Sequence, residues 1–528
     1  MRGEDFFMSL ELIREAVRLN QPIGEDTTQT IVENDIIVPD IKPDIARILL
    51  LDGDAFVNGA ETASEKLQIS GTVRYKILYI SDDPEQPVKS INTSSSFHYS
   101  MDMPDTRQGM QSRVKCDIEH MEYEILNSRK VNVKTILNLY GRVTSPLEQY
   151  ITRDFSGIED VQVLRNTISV NSYIGESNAG CPVRETLELP AGKPTVLEIL
   201  RTDAKISGKE YKVSEGKLAV KGDLNVSTLY IADDETRSIQ FMEHEVPFSQ
   251  LVDLPGADED SYCNVDIDLG ELGFEAEEDA DGELRLLKCE TTLGIYAECF
   301  GKKDIELVED AYSPSCRVSM EKEQLRLDEL VTDSKSQITL KDTIVLDDSA
   351  PDISELFNVL GKLSVSGSEI TDDRITIEGV VASNILYLAN NEEQPVYCTD
   401  REIPFRQTLD VRGARAGMGL DVEMDIDHCS YSIMSAREIE VRYNIGLSSR
   451  VSRQVSIPVI SKAYEQPLDE KRLAQQPSVT IYFAQQDDTL WNVAKKYYTT
   501  VEELRKNNGF EDNIQLAAGE QILIPRKL

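Results

Sequence analysis

The chain has 528 residues, 94 of them acidic and 55 basic, for a formal charge of -39. Such an acidic excess excludes the basic footprint that nucleic acids and anionic lipid surfaces require. Hydrophobic residues make up 40%, enough for packed cores, and the length suggests about three to five domains of ~100–200 residues.

No stretch approaches the ~20 apolar residues needed to cross a bilayer; the longest candidate, Ile45 to Leu51, contains Arg47. The first residues, MRGEDFF, place acids where a secretory signal carries a basic and then an apolar region. Eight cysteines are scattered without a CxxC pair, so reduced thiols in a cytosol are expected rather than a disulfide framework.

In chain order, one unit occurs three times. Leu67 to Ile80 (LQISGTVRYKILYI), Leu218 to Ile231 (LAVKGDLNVSTLYI) and Ile375 to Leu388 (ITIEGVVASNILYL) align their glycines at Gly71, Gly222 and Gly379, and their tyrosines at Tyr79, Tyr230 and Tyr387. Each opens on an amphipathic segment (Leu10–Leu12, Val161–Val163, Leu325–Leu327) that reads as a strand, although Met8 to Leu19 also fits a helix. Next comes a proline (Pro43, Pro194, Pro351) and apolar residues at helical spacing: Ile45, Ile48, Leu49; Val196, Ile199, Leu200; Ile353, Leu356, Phe357. That pattern predicts one short helix per copy.

After the glycine–tyrosine strand come an acidic turn (from Ser81, Ala232 and Asn390) and a strand centred on Phe97, Phe248 or Phe405. Two further strands close each unit, the last with clear alternation, as in VNVKTILNLY from Val131. The middle copy adds an acidic insertion from Gly270 and a small-residue run, Gly175 to Gly180, that reads as a loop. The expected fold is mainly β: three β-rich domains, sandwiches or open barrels, over residues 1–153, 154–314 and 315–465.

Residues 466–477 are polar and proline-bounded, and read as a linker. Beyond them, residues 478–528 predict strand, helix, helix, strand. Asp488 or Thr489 caps the first helix, Thr500 to Glu503 is a capping box, and Asn507-Asn508-Gly509 ends the second helix.

This α+β module closely resembles a LysM domain, on Asp488-Thr489-Leu490-Trp491, Val493-Ala494, Val501 to Leu504, Asn507, Ala518-Gly519 and Ile522 to Pro525. The resemblance implies a shallow groove for N-acetylglucosamine-containing glycans. Asp487, Asp488, Thr489 and Leu490 would line one side, and Ile514, Gln515, Leu516, Ala517, Ala518 and Gly519 the other. The family usually has Gly-Asp-Thr where this chain has Asp487-Asp488-Thr489, and Pro-Gly-Gln where it has Ala518-Gly519-Glu520. Trp491, the only tryptophan, either packs in a small core or contacts a partner.

The repeats in turn resemble the SPOCS domain of endospore-forming bacteria, through Val38-Pro39-Asp40, Pro43-Asp44-Ile45, Ile77-Leu78-Tyr79 and the alternating last strand. Three such repeats followed by one LysM resemble a clostridial coat morphogenetic family. That likeness implies a mother-cell cytoplasmic protein at the forespore surface or coat, which binds the coat basement-layer ATPase through its LysM. A peptidoglycan-binding protein of the wall or cortex is the alternative.

Signs of catalysis are absent from the sequence. It lacks GxxxxGK[ST], GxSxG and HExxH, and no cofactor or metal site is expected. His120 and His428 occupy matching positions where the middle copy has Leu269, so packing is expected there. Acidic clusters such as Glu275 to Asp281 lack calcium-loop spacing and read as solvated surface, or as a face for a basic partner.

Overall fold

The computed structural model describes residues 8–83, 87–157, 159–389, 395–468, 477–511 and 515–525. Each repeat is a pair of antiparallel sheets facing one another. In the first, Lys130–Ser156 is the central strand between Glu11–Ile37 and Gln111–Asn127, while Lys66–Ser81 is central between Ile45–Ala63 and Val88–Asp102. Val131, Leu137 and Leu139 from one sheet meet Ile69, Tyr75, Ile77 and Phe97 from the other in a shared core. The second repeat (Gln162–Tyr312) adds the strand Gly273–Glu278 from its acidic insertion, and the third runs from Cys316 to Pro467.

The repeated residues have structural reasons. Gly71, Gly222 and Gly379 sit opposite Phe97, Phe248 and Phe405 in the strand register. A Cβ at any of them would run into the phenylalanine ring. Tyr79, Tyr230 and Tyr387 donate their hydroxyls to the carbonyls of Pro43, Pro194 and Pro351, at 3.0, 2.9 and 3.4 Å, fixing where the chain enters the second sheet. Arg129 holds the preceding turn by pairing with Asp44 at 2.7 Å and donating to the Val38 and Pro39 carbonyls. Arg437 does the same for Asp352 and the Asp347 carbonyl.

Four expectations are corrected. The segments after the prolines are strands (Ile45–Ala63, Val196–Ser214, Ile353–Thr371), not helices. Bulges between Ile45 and Arg47 and between Ile48 and Leu50 each insert one residue, so inward side chains recur at three rather than two and imitate a helix. The third repeat carries the same double bulge, at Ile353/Glu355 and Leu356/Asn358. Gly175 to Gly180 is no loop but part of the strand Gln162–Glu188, paired in register with residues 294–299.

His120 and His428 are exposed rather than packed. A bulge after Ile118 and after Ile426 turns them outward, whereas Leu269 follows Ile267 without one and packs against the core. The same strand pair places Cys263 opposite Cys299, and the two form a disulfide. The other six cysteines are free thiols. Of the three acidic turns, residues 84–86 and 390–394 lie outside the described residues, as do 469–476 of the linker.

The repeats do not stand apart. Leu78, Leu229 and Leu386, which precede the repeated tyrosines, converge with Leu50, Leu200 and Phe357 in one buried cluster. A second shared cluster forms where the outer halves of the long strands meet: Val17 and Ile151, Val170 and Ile305, Leu325 and Val459. There the chain passes from each repeat to the next. Met8–Ser9 pairs with Tyr464 and Glu465 on the last strand of the third repeat, linking first repeat to last.

Candidate functional site

The C-terminal module follows the expected order. Val479–Phe483 pairs antiparallel with Gln521–Pro525, and helices Leu490–Tyr497 and Val501–Asn508 pack on the inner face of that pair. Thr489 caps the first helix, accepting the Asn492 amide at 3.1 Å. Thr500 caps the second, accepting the Glu503 amide at 3.1 Å, and Gly509 ends it with φ 68°. Ile522, Ile524, Val493, Ala494 and Leu504 form the core. The outward positions of the sheet, Val479, Ile481, Phe483 and Leu523, are apolar and between 40% and 61% exposed.

The two groove loops are joined directly: the Gly519 amide donates to the Ala484 carbonyl at 2.7 Å, and the Ala484 amide to the Glu520 carbonyl at 2.9 Å. Asp488 is committed inward, accepting the Tyr482 hydroxyl at 2.6 Å and the Gln485 amide at 2.8 Å. The Tyr482 hydrogen bond holds the Asp488 carboxyl below its usual range, and the same bond pushes the tyrosine up to about 12. Asp487 adopts φ 70°, the left-handed region that favours glycine. Glu520 folds back to accept the Ala517 amide at 3.0 Å.

Asp487, Thr489, Gln515, Ala517, Ala518 and Gly519 are exposed along this groove, and Leu516 is half-buried. Leu490 faces the core instead. Ile514 lies outside the described residues.

Trp491 does something the local pattern does not reveal. Its indole Nε1 donates to Asp310 Oδ2 at 2.8 Å, and its ring packs edge-on against Tyr312, with centroids 4.8 Å apart. Lys495, one turn along the same helix, pairs with Asp310 at 2.6 Å. Asp310 and Tyr312 end the long last strand of the second repeat, and Tyr312 is buried within the module's own core cluster. Burial alone would raise the Asp310 carboxyl, but bonds from Lys495 and Trp491 outweigh it and hold it low. No local signal in the sequence marks Asp310 or Tyr312, because their partners lie some 180 residues away.

A half-open cavity of about 1700 Å³ lies between the three repeats, lined by more carboxylates than cations. Asp117, Asp266 and Asp425, the same position of the repeated D-I-[DE] motif, all line it. Lys115 of the first repeat pairs with Asp266 of the second at 3.1 Å, and Lys209 of the second with Asp425 of the third at 2.7 Å. Lys362 of the third donates to the Ile118 carbonyl of the first, completing a cycle of cross-repeat contacts. Burial lowers the Lys362 ammonium and raises the Glu423 carboxyl. Among the described residues no group of His, Cys, Asp or Glu side chains is placed to hold a metal ion, and no helix is long and apolar enough to cross a membrane.

Comparison with known families finds the SipL SPOCS domain three times, over residues 44–126, 195–277 and 352–434, and a LysM domain over residues 484–525. The SPOCS matches cover the inner strands of each repeat and leave out the long first and last ones. No curated protein and no solved structure matches the chain.

Proposed function

We propose, for a chain that belongs to the SipL family with three SPOCS domains and a LysM domain, that it is a non-enzymatic adaptor of spore coat assembly. In this reading the SPOCS body, divided near residues 153 and 314, is the scaffold. The LysM module grips a protein, the coat basement-layer ATPase, in the mother-cell cytoplasm at the forespore surface. Sporulation is the setting of the family; the adaptor role and the partner are our reading.

One observation carries it. The outer face of the module's sheet exposes Val479, Ile481, Phe483 and Leu523 together, and grouped apolar side chains of this kind mark surfaces that other proteins cover. The test is co-purification of the full chain, and of a chain lacking residues 478–528, with the ATPase. Capture should be lost with the deletion; equal capture would remove the LysM as the main contact.

A second reading, glycan binding, is favoured by the two loops of the module, where Thr489, Gln515 and Gly519 are exposed. Retention of the full chain on peptidoglycan or chitin would support it, and failure to bind either would count against it.

A further inference from the structure

We infer that the LysM module is latched to the end of the second repeat by Asp310, in a docked state that closes the first helix and leaves the sheet face open. This deepens the protein-binding reading by stating which side of the module a partner meets.

Three independent contacts converge on one helix face. The Trp491 indole and the Lys495 ammonium both donate to Asp310, and Tyr312 fills the gap beside the Trp491 ring. Hydrogen bonds to a charged acceptor in a half-buried setting are stronger than neutral ones, and an aromatic seated against another adds to its burial. A bulge between Val308 and Asp310 shifts the strand register immediately before the latch, after the consecutive buried residues Leu307 and Val308.

The first helix meets the body through Trp491 and Lys495, while Val479, Ile481 and Phe483 remain 52–61% exposed in the docked chain. A partner meets the module sheet-first, and the helix face is unavailable while the latch holds. The groove stays open in the docked state, since Asp487, Thr489 and Gly519 are exposed in it.

The single tryptophan makes this measurable on the whole protein. Full-length chain is labelled with 5-fluorotryptophan and its one fluorine resonance recorded for wild type, Asp310→Ala and Lys495→Ala. Both variants should shift the resonance in the same direction and raise its accessibility to a soluble paramagnetic probe. Lys495→Ala repeats the test from the module side and leaves the body's strand untouched. An unmoved resonance in both variants would overturn the latch.

Unlabelled coat ATPase is then added to wild type. A complex that keeps the docked resonance supports sheet-first binding, and movement to the Asp310→Ala position overturns it. Should the ATPase bind neither wild type nor variants, the partner proposed above fails, while the fluorine shift still decides the latch.

Discussion

The SPOCS body and the LysM module solve the same problem in opposite ways. In the body, the residues that complete a core come from other copies of the unit: Leu78, Leu229 and Leu386 cover one another across separations of about 150 residues. In the module, Val493, Leu504, Ile522 and Ile524 close a core within fifty residues, and among the described residues Tyr312 alone joins it from outside. A repeat that leaves apolar surface bare unless its neighbours are present depends on them for stability. The body should behave as one cooperative unit, and the module as a second.

The strongest way to break this contrast is a charge in the shared cluster. Ile231→Asp, at a fully buried site, should cost more than about 4 kcal/mol and unfold all three repeats together. Urea unfolding followed by circular dichroism would show it, and loss of one repeat alone would refute the cooperative picture.

Next comes Arg201→Ala. Arg201 is 5% exposed and bridges repeats through Asp52 at 2.5 Å, while also pairing with Asp203. Removing one member of a buried charge network costs about 3–5 kcal/mol. Burial would raise the Asp203 carboxyl, but Arg201 and Lys76 hold it below its ordinary range. Its contribution is therefore full above the unfolded value of about 4 and is lost as pH falls through the folded value. Wild type should lose body stability on acidification below about pH 4, with a shallower slope in the variant.

Leu504→Ala tests the other half of the contrast. It should cost about 2–5 kcal/mol in the module's own transition and leave the body's midpoint unchanged. The smallest effect is expected from Thr489→Ala, which removes the first helix cap for about 1 kcal/mol and again touches only the module. A shift of the body transition in either variant would mean that the two regions fold as one.

How readily each region could be read from its residues follows the same division. Caps, core positions and strand order in the module are local properties, and Thr489, Thr500 and Gly509 act as their types predict. The β class of the repeats was equally readable, through alternation along Val131 to Tyr140. Bulges defeated the rest: they gave Ile45, Ile48 and Leu49 a helical rhythm and turned His120 away from the core. The disulfide between Cys263 and Cys299 depends on register across a hairpin, and the Trp491 contact on where two distant segments come to rest. Of the residues assigned to the groove, Asp487, Thr489, Gln515 and Ala517 to Gly519 are exposed, while Leu490 and Trp491 were drawn off to the module core and to the body.

The first and last strands of every repeat are paired end to end, Glu11 with Ser156, Gln162 with Tyr312 and Cys316 with Pro467. This geometry sets how the chain would carry a load. A pull applied at the two ends of a repeat meets the ladder one rung at a time, as in unzipping, instead of loading all rungs together in shear. Tension drawn through Pro467 from a captured LysM would thus start at Cys316 and travel inward. As long as Asp310 holds the module, the same pull also loads the end of the second repeat.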